Sequence, residues 1–471
     1  VTEPTNEPTH DTLTHGGLQE RRDVLLETTR EALAAGDVAT LRLVLNSQHA
    51  VDLEDLLRRL DDEDRTYSFR LLAESLAAGV LAEFDPSTMV SVAAQLDDRA
   101  LSGIVEQMAP DDAADVLADL SEEHSERVLS LMAHGEAQVV RELMEHPQDS
   151  GGGIMTSRLV SVAVDATVAD AVDQLRARAG ESSQEPPLAV FVVDVDDRFV
   201  GTVSLHRMLL AEDEESMGAI ADLEPITVRA DMDQEEIAEI FADYDLLAMP
   251  VVDAHGTLVG QVTVDDIVDV IQEEATEDNL KMAATSSEEM EDRSVVGVMR
   301  HRLPWLLFCL LGTLLSGGVL DLFSGVLATL SPLVLFVPAI MAMGGNSGIQ
   351  TSTVTVRSLA TGILLPEEVY RALWREFRVA ALMGTFLGLV VFAVAYVWTD
   401  GSVVAPCAGI AMFAAVVLSA VLGATIPILF RAFGIDPAVA SGPLITTVND
   451  ILSLGIYFGV ASALLQLMAA G

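Results

Sequence analysis

From Pro304 onward the apolar positions gather into five stretches, near 304 to 324, 332 to 356, 377 to 398, 403 to 430 and 439 to 469. Each is long enough to cross a hydrocarbon core of about 30 Å, which takes about 20 helical residues. The second, fourth and fifth are long enough to tilt or to be interrupted. Upstream the pattern is different. Residues 18 to 145 read as helices throughout, with turn signals at Asp85-Pro86, Asp97-Asp98, Pro110-Asp111 and Ser121-Glu122, a rhythm of about twelve residues that predicts a superhelix of short helices. Between 154 and 279 the chain repeats itself: Phe191-Val-Val-Asp194 through Gly201-Thr-Val-Ser204 overlays Pro250-Val-Val-Asp253 through Gly260-Gln-Val-Thr263 at a constant offset of 59. Each copy opens with a short strand signal and an Asp (Val162 to Asp165, Val228 to Asp231). A helix, two alternating apolar strands and a closing helix follow, which predicts two β-α-β-β-α units.

Charge sharpens this division. The 471 residues carry 26 basic and 72 acidic groups, too lopsided for an average soluble protein and too long for one domain. Residues 301 to 471 hold seven acidic and six basic groups, so nearly all the negative charge lies in the first 300. Lys281 is the chain's one lysine. Abundant Asp and Glu with Arg in place of Lys resembles proteins adapted to high cytoplasmic salt, where a Debye length of about 3 Å at 1 M lets dense like charge be tolerated. Such a surface repels nucleic acid and attracts cations. Cys309 and Cys407 both fall in apolar runs, with no disulfide framework and no metal-type spacing. Val1 to Gly17 is polar and Thr-rich without an apolar core, which argues against a cleavable signal peptide and predicts a disordered tail.

Orientation follows from the arginines, which cytoplasmic loops keep and translocated loops lack. Arg300 and Arg302 precede the first stretch, Arg357, Arg371, Arg375 and Arg378 fill the connection between the second and third, and Arg431 lies between the fourth and fifth. The loops at 325 to 331 and 399 to 402 have none. A multi-pass protein of the cell membrane is expected, its N-terminal domains cytoplasmic and its C-terminus at Gly471 outside.

Polar groups inside these stretches are where function is sought, because an ionised group at bilayer depth costs on the order of 2.5 to 3.5 kcal/mol on insertion scales. Asp450 lies well inside the fifth stretch, with Thr446 one turn earlier on the same face. A pore lining and a structural hydrogen bond to a neighbouring helix are the two readings. The second stretch contains Met343-Gly-Gly-Asn-Ser-Gly-Ile-Gln350, read as a glycine-rich polar break that exposes backbone carbonyls at Gly345 beside Asn346. Irregular backbone at that depth must be buried in protein or line a wet cavity; close packing of small residues is the alternative. One carboxylate, an Asn and several carbonyls suit Mg²⁺, which keeps its waters and wants near-octahedral oxygen ligands, and spacing alone leaves Mn²⁺, Co²⁺ and Ca²⁺ open. A cage of several carboxylates would hold the ion too tightly to conduct. No His/Asp/Glu metal motif, nucleophile elbow or phosphate-cradling loop occurs, so an enzyme is not expected.

The paired units resemble tandem CBS (cystathionine-β-synthase-type) domains. Over essentially the whole chain from residue 18 the order of parts is similar to the MgtE magnesium-channel family: an acidic helical N domain (18–150), two CBS domains (151–215 and 216–280), a connecting helix (281–302) and an all-α membrane domain of five helices (303–471). The matching motifs are Gly152-Gly-Ile-Met-Thr156, Asp233-Gln-Glu-Glu236, Ala242-Asp-Tyr-Asp245, Val264-Asp-Asp266, Glu274-Ala-Thr-Glu-Asp278, Pro338, Gly344-Gly-Asn346 with Gln350, Asp436-Pro437 and Asp450. Gly442 and Ala342 depart from the family's pattern, where Asn and Gly are common.

The resemblance implies Mg²⁺ import by a homodimer in membrane lipid. Asp450 and Asn346 would face the hydrated divalent cation, with the pore between the second and fifth spans of both subunits. It implies sensor carboxylates at Asp233, Glu235, Asp245, Asp266, Glu274, Glu277, Asp278 and Asp436 that bind cytoplasmic Mg²⁺ and close the pore. CBS pairs sometimes hold ATP or another adenine nucleotide. Asp111, Asp112 and Asp115 gather at a helix start, where helix capping competes with a sensor role for Asp111 and Asp115. Two other readings stay open, a divalent-cation exchanger coupled to Na⁺ or H⁺ and a membrane-bound nucleotide sensor that conducts nothing.

Overall fold

The computed structural model describes residues 15–179, 187–291, 294–400, 403–439 and 442–470. Residues 1–14 of the expected tail and Gly471 lie outside these, and His15–Gly17 already belong to the first helix, His15–Ala35. The chain divides into two compact units, Val1–Val270 and Ile271–Gly471.

The first unit begins with ten helices among the described residues, from His15–Ala35 to His134–Leu143. The last five start at 86, 98, 110, 122 and 134, twelve residues apart. Local chemistry sets this beat. Asp85, Asp97 and Ser121 stand just before their helices and accept the backbone N–H of Thr88, Ala100 and His124, satisfying donors that a helix start leaves open. Leu53, Leu57, Leu81, Leu101 and Leu117 from successive helices are fully buried in one core.

The duplicated segment forms two three-stranded sheets, β1(Ser161–Ala163)–β2(Ala189–Val193)–β3(Phe199–Ser204) and β4(Val228–Arg229)–β5(Ala248–Val252)–β6(Leu258–Thr263). In each, the first strand is parallel and the third antiparallel to the middle one. The offset of 59 survives into the register: Phe191 pairs with Thr202 as Pro250 pairs with Gln261, and the ladder slips after Val192 as it does after Val251. The copies differ in their cores. Val162, Val190, Val192 and Val203 pack in a cluster of their own, whereas Val228, Met249, Val251 and Val262 share one continuous core with the N-terminal helices.

The division into units falls inside the helix Val264–Met282. The expected connecting helix at 281–302 is split into three pieces: the last turn of that helix, a short helix Ser287–Glu291, and the start of the first membrane helix at Val295. Ala284 adopts φ +58°, and Thr285 N–H donates to Leu280 O while Ala284 N–H donates to Lys281 O, a left-handed cap that ends the helix. Ser294 then caps the next helix by accepting Gly297 N–H at 2.9 Å.

Among the described residues, five helices are long and apolar enough to span a membrane: Val295–Leu322, Ser331–Ala360, Val369–Trp398, Val404–Ala432 and Gly442–Leu467. The predicted break in the second is absent. Val337–Ala360 is one continuous α-helix, so its glycines expose no strip of free carbonyls. They permit contact instead. A Cβ on Gly348 would lie 2.5 Å from Ser419 Oγ and 2.7 Å from Ile445 Cγ2, and one on Gly423 would run into the Gly348 carbonyl. The second span therefore lies backbone against backbone on the fourth, the small-residue packing that helices use where water drives nothing together. Gly348→Ala is expected to destabilise the membrane unit by about 1–3 kcal/mol, the usual effect of overpacking, measured as a lowered midpoint of thermal unfolding in detergent.

Candidate functional site

In the second unit the polar face lies where the second and fifth spans meet. Thr446 and Asp450 stand one turn apart on the fifth span, both half-buried, and the Thr446 hydroxyl donates to Pro443 O at 3.1 Å. A Cβ on Gly345 would lie 3.5 Å from Thr446 Cγ2, so Gly345 and Thr446 are brought together. Asn346 and Gln350, one turn apart on the second span, are exposed. Asp450 forms no ion pair or hydrogen bond with any described residue. The other carboxylates of the spans differ: Glu376 pairs with Arg375 at 3.2 Å, and Asp321 sits in the last turn of its helix.

Asn449 was not singled out by sequence reasoning, and it supplies the structural hydrogen bond considered above for its neighbour. It is buried at 3 % exposure, donates Nδ2–H to Met341 O at 3.4 Å and accepts from the Ser453 hydroxyl at 3.1 Å. A Cβ on Gly344 would come within 2.8 Å of its amide. The signal was present in the spacing. Ile445, Asn449 and Ser453 lie four apart on one face, while Thr446 and Asp450 lie on the next.

In the first unit the expected sensor residues fall into separate places. Asp233 caps the helix Gln234–Tyr244, accepting Glu235 N–H at 2.9 Å, and Asp245 closes its other end at φ +51°, about 18 Å away at 1.5 Å per residue. Asp233, Glu235 and Asp245 are exposed, as is Asp115. Asp111 is not the capping residue of its helix; Ala109 holds that position and offers no side-chain bond. Asp111 is instead 7 % exposed, and its Oδ1 is buried without a hydrogen-bond partner.

Burial, then the charge of Asp112, pushes the Asp111 carboxyl up to about 7, against the opposing pull of Thr156 and Arg158. Asp266 is pushed up to about 7 by burial and then by Asp111, although the Thr263 hydroxyl donates to it at 2.6 Å. The charge of Asp111 reaches Asp266, in the part of the first unit where the N-terminal helices and the second α/β copy share a core. Such a pair needs a proton or a cation.

In the second unit the chemistry is different. Lys281 Nζ donates to Asp436 Oδ2 at 2.7 Å and pairs with Glu277 one turn earlier. Burial works against its charge, but these hydrogen bonds raise its pKa overall. The Asp278 carboxyl is pushed up by burial and by Asp436. Glu274 is half-buried on the same helix. Among the described residues no three His, Cys, Asp or Glu side chains are gathered closely enough to cage an ion. An ion that keeps most of its waters needs only one or two carboxylates.

In the CBS half a cavity of about 280 Å³ is lined by Phe199, Val200, Leu223, Glu224 and Val252, among others, and by no Lys or Arg.

Five membrane-length helices, joined to a helical domain and a duplicated pair of α/β units, define a multi-domain membrane protein. Comparison with known proteins agrees. Residues 337–460 match the family described as divalent cation transporter, residues 48–149 the MgtE intracellular N domain, and residues 152–214 and 218–273 the CBS domain. The magnesium transporter MgtE of Thermus thermophilus is 33% identical over 458 residues, covering 94% of this chain and 99% of its own. That of Bacillus subtilis is 36% identical over 331 residues, 70% of this chain and 73% of its own. A solved structure of the cytosolic domain of the Mg²⁺ channel MgtE in complex with ATP is 34% identical, with a TM-score of 0.49, over 52% of this chain and 99% of that one. The chain belongs to the MgtE family of magnesium transporters.

The raised carboxyls make a stability prediction. A pKa near 7 in the fold against about 3.9 in the unfolded chain means that stability is full at low pH and falls as pH rises through 7. In chelator, the first unit should melt at lower temperature at pH 8 than at pH 6. Asp111→Asn should recover part of the difference, a few degrees or on the order of 1 kcal/mol; a pH-independent gain, or a loss, would count against a repelling pair.

Proposed function

We propose that this protein imports Mg²⁺ as a homodimeric channel whose path is walled by the second and fifth spans, and that cytoplasmic Mg²⁺ closes it. The observation that carries the reading is Asp450: a carboxylate about 12 Å into an apolar helix at 1.5 Å per residue, unpaired among the described residues. At that depth an ionised group is tolerated where water and a cation reach it. One carboxylate per subunit, flanked by Thr446 and with Asn346 and Gln350 exposed on the second span, can hold a hydrated ion by outer-sphere hydrogen bonds. That attraction is weak enough for release. With helix carbonyls occupied in the continuous second span, side-chain oxygens take the part first given to backbone. The arginine-bearing connections support a cytoplasmic sensor half and a C-terminus outside.

For the sensor, the donor set fits a divalent ion. Asp111 and Asp266 would hold one, Asp111 through its unpartnered Oδ1, and an ion there exchanges mutual repulsion for attraction. Asp233, Glu235, Asp245, Glu274, Glu277, Asp278 and Asp436 lie where further ions would add to this. A bridging ion draws carboxylates together, and the helix Val264–Met282, which carries both Asp266 and Asp278, passes that change toward the spans. The CBS cavity fits the base and ribose of an adenine nucleotide better than its phosphates, having Phe199 and aliphatic walls but no cation.

The test is Mg²⁺ uptake into proteoliposomes loaded with a Mg²⁺-sensitive dye. Native protein should give uptake that falls as Mg²⁺ rises on the sensor side. Asp450→Ala, inserted and folded, should lower uptake by at least about 10-fold, the effect of roughly 1.4 kcal/mol. Uptake that follows an imposed Na⁺ or H⁺ gradient would replace the channel by an exchanger. Absence of any divalent flux from correctly inserted protein would leave a sensor that conducts nothing.

A further inference from the structure

Lys281 stands out on three grounds. It is the sole lysine among 26 basic residues. It sits in the last turn of the helix Val264–Met282. Its ammonium joins Glu277 of that helix to Asp436, 155 residues further on. Asp436 in turn accepts Ala438 N–H at 2.8 Å, fixing the turn Pro437–Val439 that leads into the fifth span. The helix end and the span start approach closely, since a Cβ on Gly442 would lie 3.6 Å from Met282 O. The ammonium thus occupies the place between Glu277 and Asp436 that a divalent cation would take.

We propose that Lys281 is an intramolecular counter-cation that competes with Mg²⁺ for Glu277 and Asp436 and so sets how much Mg²⁺ this part of the sensor needs. The inference rests on the sensor reading above. In the absence of divalent ion the ammonium satisfies two carboxylates that would otherwise repel, and it holds the helix end to the fifth span. Asp278, whose carboxyl is pressed by Asp436, is left to recruit the ion. A divalent cation arriving between Asp278 and Asp436 presents twice the charge, displaces Nζ from Asp436 and leaves Lys281 with Glu277 alone. Because the side chains of Lys281, Glu277 and Asp436 are each about one-third exposed, the exchange needs no unfolding. An Arg in this position would keep the charge and the competition; a neutral side chain would remove both.

Being the chain's one lysine makes the proposal directly readable. Full-length protein in detergent is labelled with an amine-reactive acetylating reagent across a Mg²⁺ series, and modification of the Lys281 peptide is followed by mass spectrometry. Displacement of Nζ predicts a labelling rate that rises with Mg²⁺; a rate that stays flat or falls overturns the proposal. In parallel, limited proteolysis measures the Mg²⁺ midpoint for protection. Lys281→Gln should shift that midpoint to lower Mg²⁺ by about 3- to 10-fold, the equivalent of a charge pair near 1 kcal/mol, and Lys281→Arg should hold it near native. An unshifted or higher midpoint in Lys281→Gln overturns the competition. If native protein shows no Mg²⁺-dependent protection at all, the sensor reading itself has failed. If Lys281→Gln does not fold, the labelling series on native protein decides.

Discussion

A carboxylate taken out of water has to meet a cation, a proton or a hydrogen-bond donor, and in a chain with 72 acidic and 26 basic groups most carboxylates cannot meet a cation of the protein's own. The structure resolves this shortage in different ways at different depths. On the surface, Asp85 and Asp97 spend their charge on helix starts, and Asp233 does the same in the second CBS unit. In the interior, Asp111 and Asp266 are driven toward protonation. At the end of the helix Val264–Met282 a lysine is supplied. In the fifth span, Asp450 is given nothing among the described residues. The further a carboxylate lies from a partner, the greater its appetite for an ion from outside.

That gradient links the two halves without requiring any enzyme-like cage. Mg²⁺ sheds water reluctantly, so on the proposed reading pairs of carboxylates, and a single one in the membrane, would be enough to attract it and still let it go. The MgtE family membership gives the ion its identity. The physical reading explains why few ligands per site are an advantage rather than a deficiency.

Much of this was legible from the chain alone, for identifiable reasons. The twelve-residue beat of capping residues became helices starting at 86, 98, 110, 122 and 134. The 59-residue offset reappeared even in the register slip of the two sheets. Both are local signals, carried by side chains a few positions apart. What could not be read depends on contacts between distant segments. Gly344, Gly345 and Gly348 look like a helix break until Asn449, Thr446 and Ser419 are seen to fill the space beside them. The segment 281–302 looks like one helix because nothing in its sequence announces that Ala284 takes a conformation usually left to glycine. Asn449 was hidden behind the charge of Asp450, though its spacing to Ser453 was visible. The separation of Asp233 from Asp245 is plain once both are placed on one helix, yet motif matching lists them side by side.

The seat of Gly348 on Gly423 has a mechanical corollary. At the Gly348–Gly423 crossing main chain meets main chain, with the Ser347 and Ser419 hydroxyls beside it, and sliding one helix past the other would drive main-chain atoms into each other. That crossing resists sliding of the second span along the fourth. On the proposed reading, a change in the path falls more easily along the fifth span, whose contacts with the second include the side chains of Ile445, Thr446, Asn449 and Ser453, which can turn and settle again.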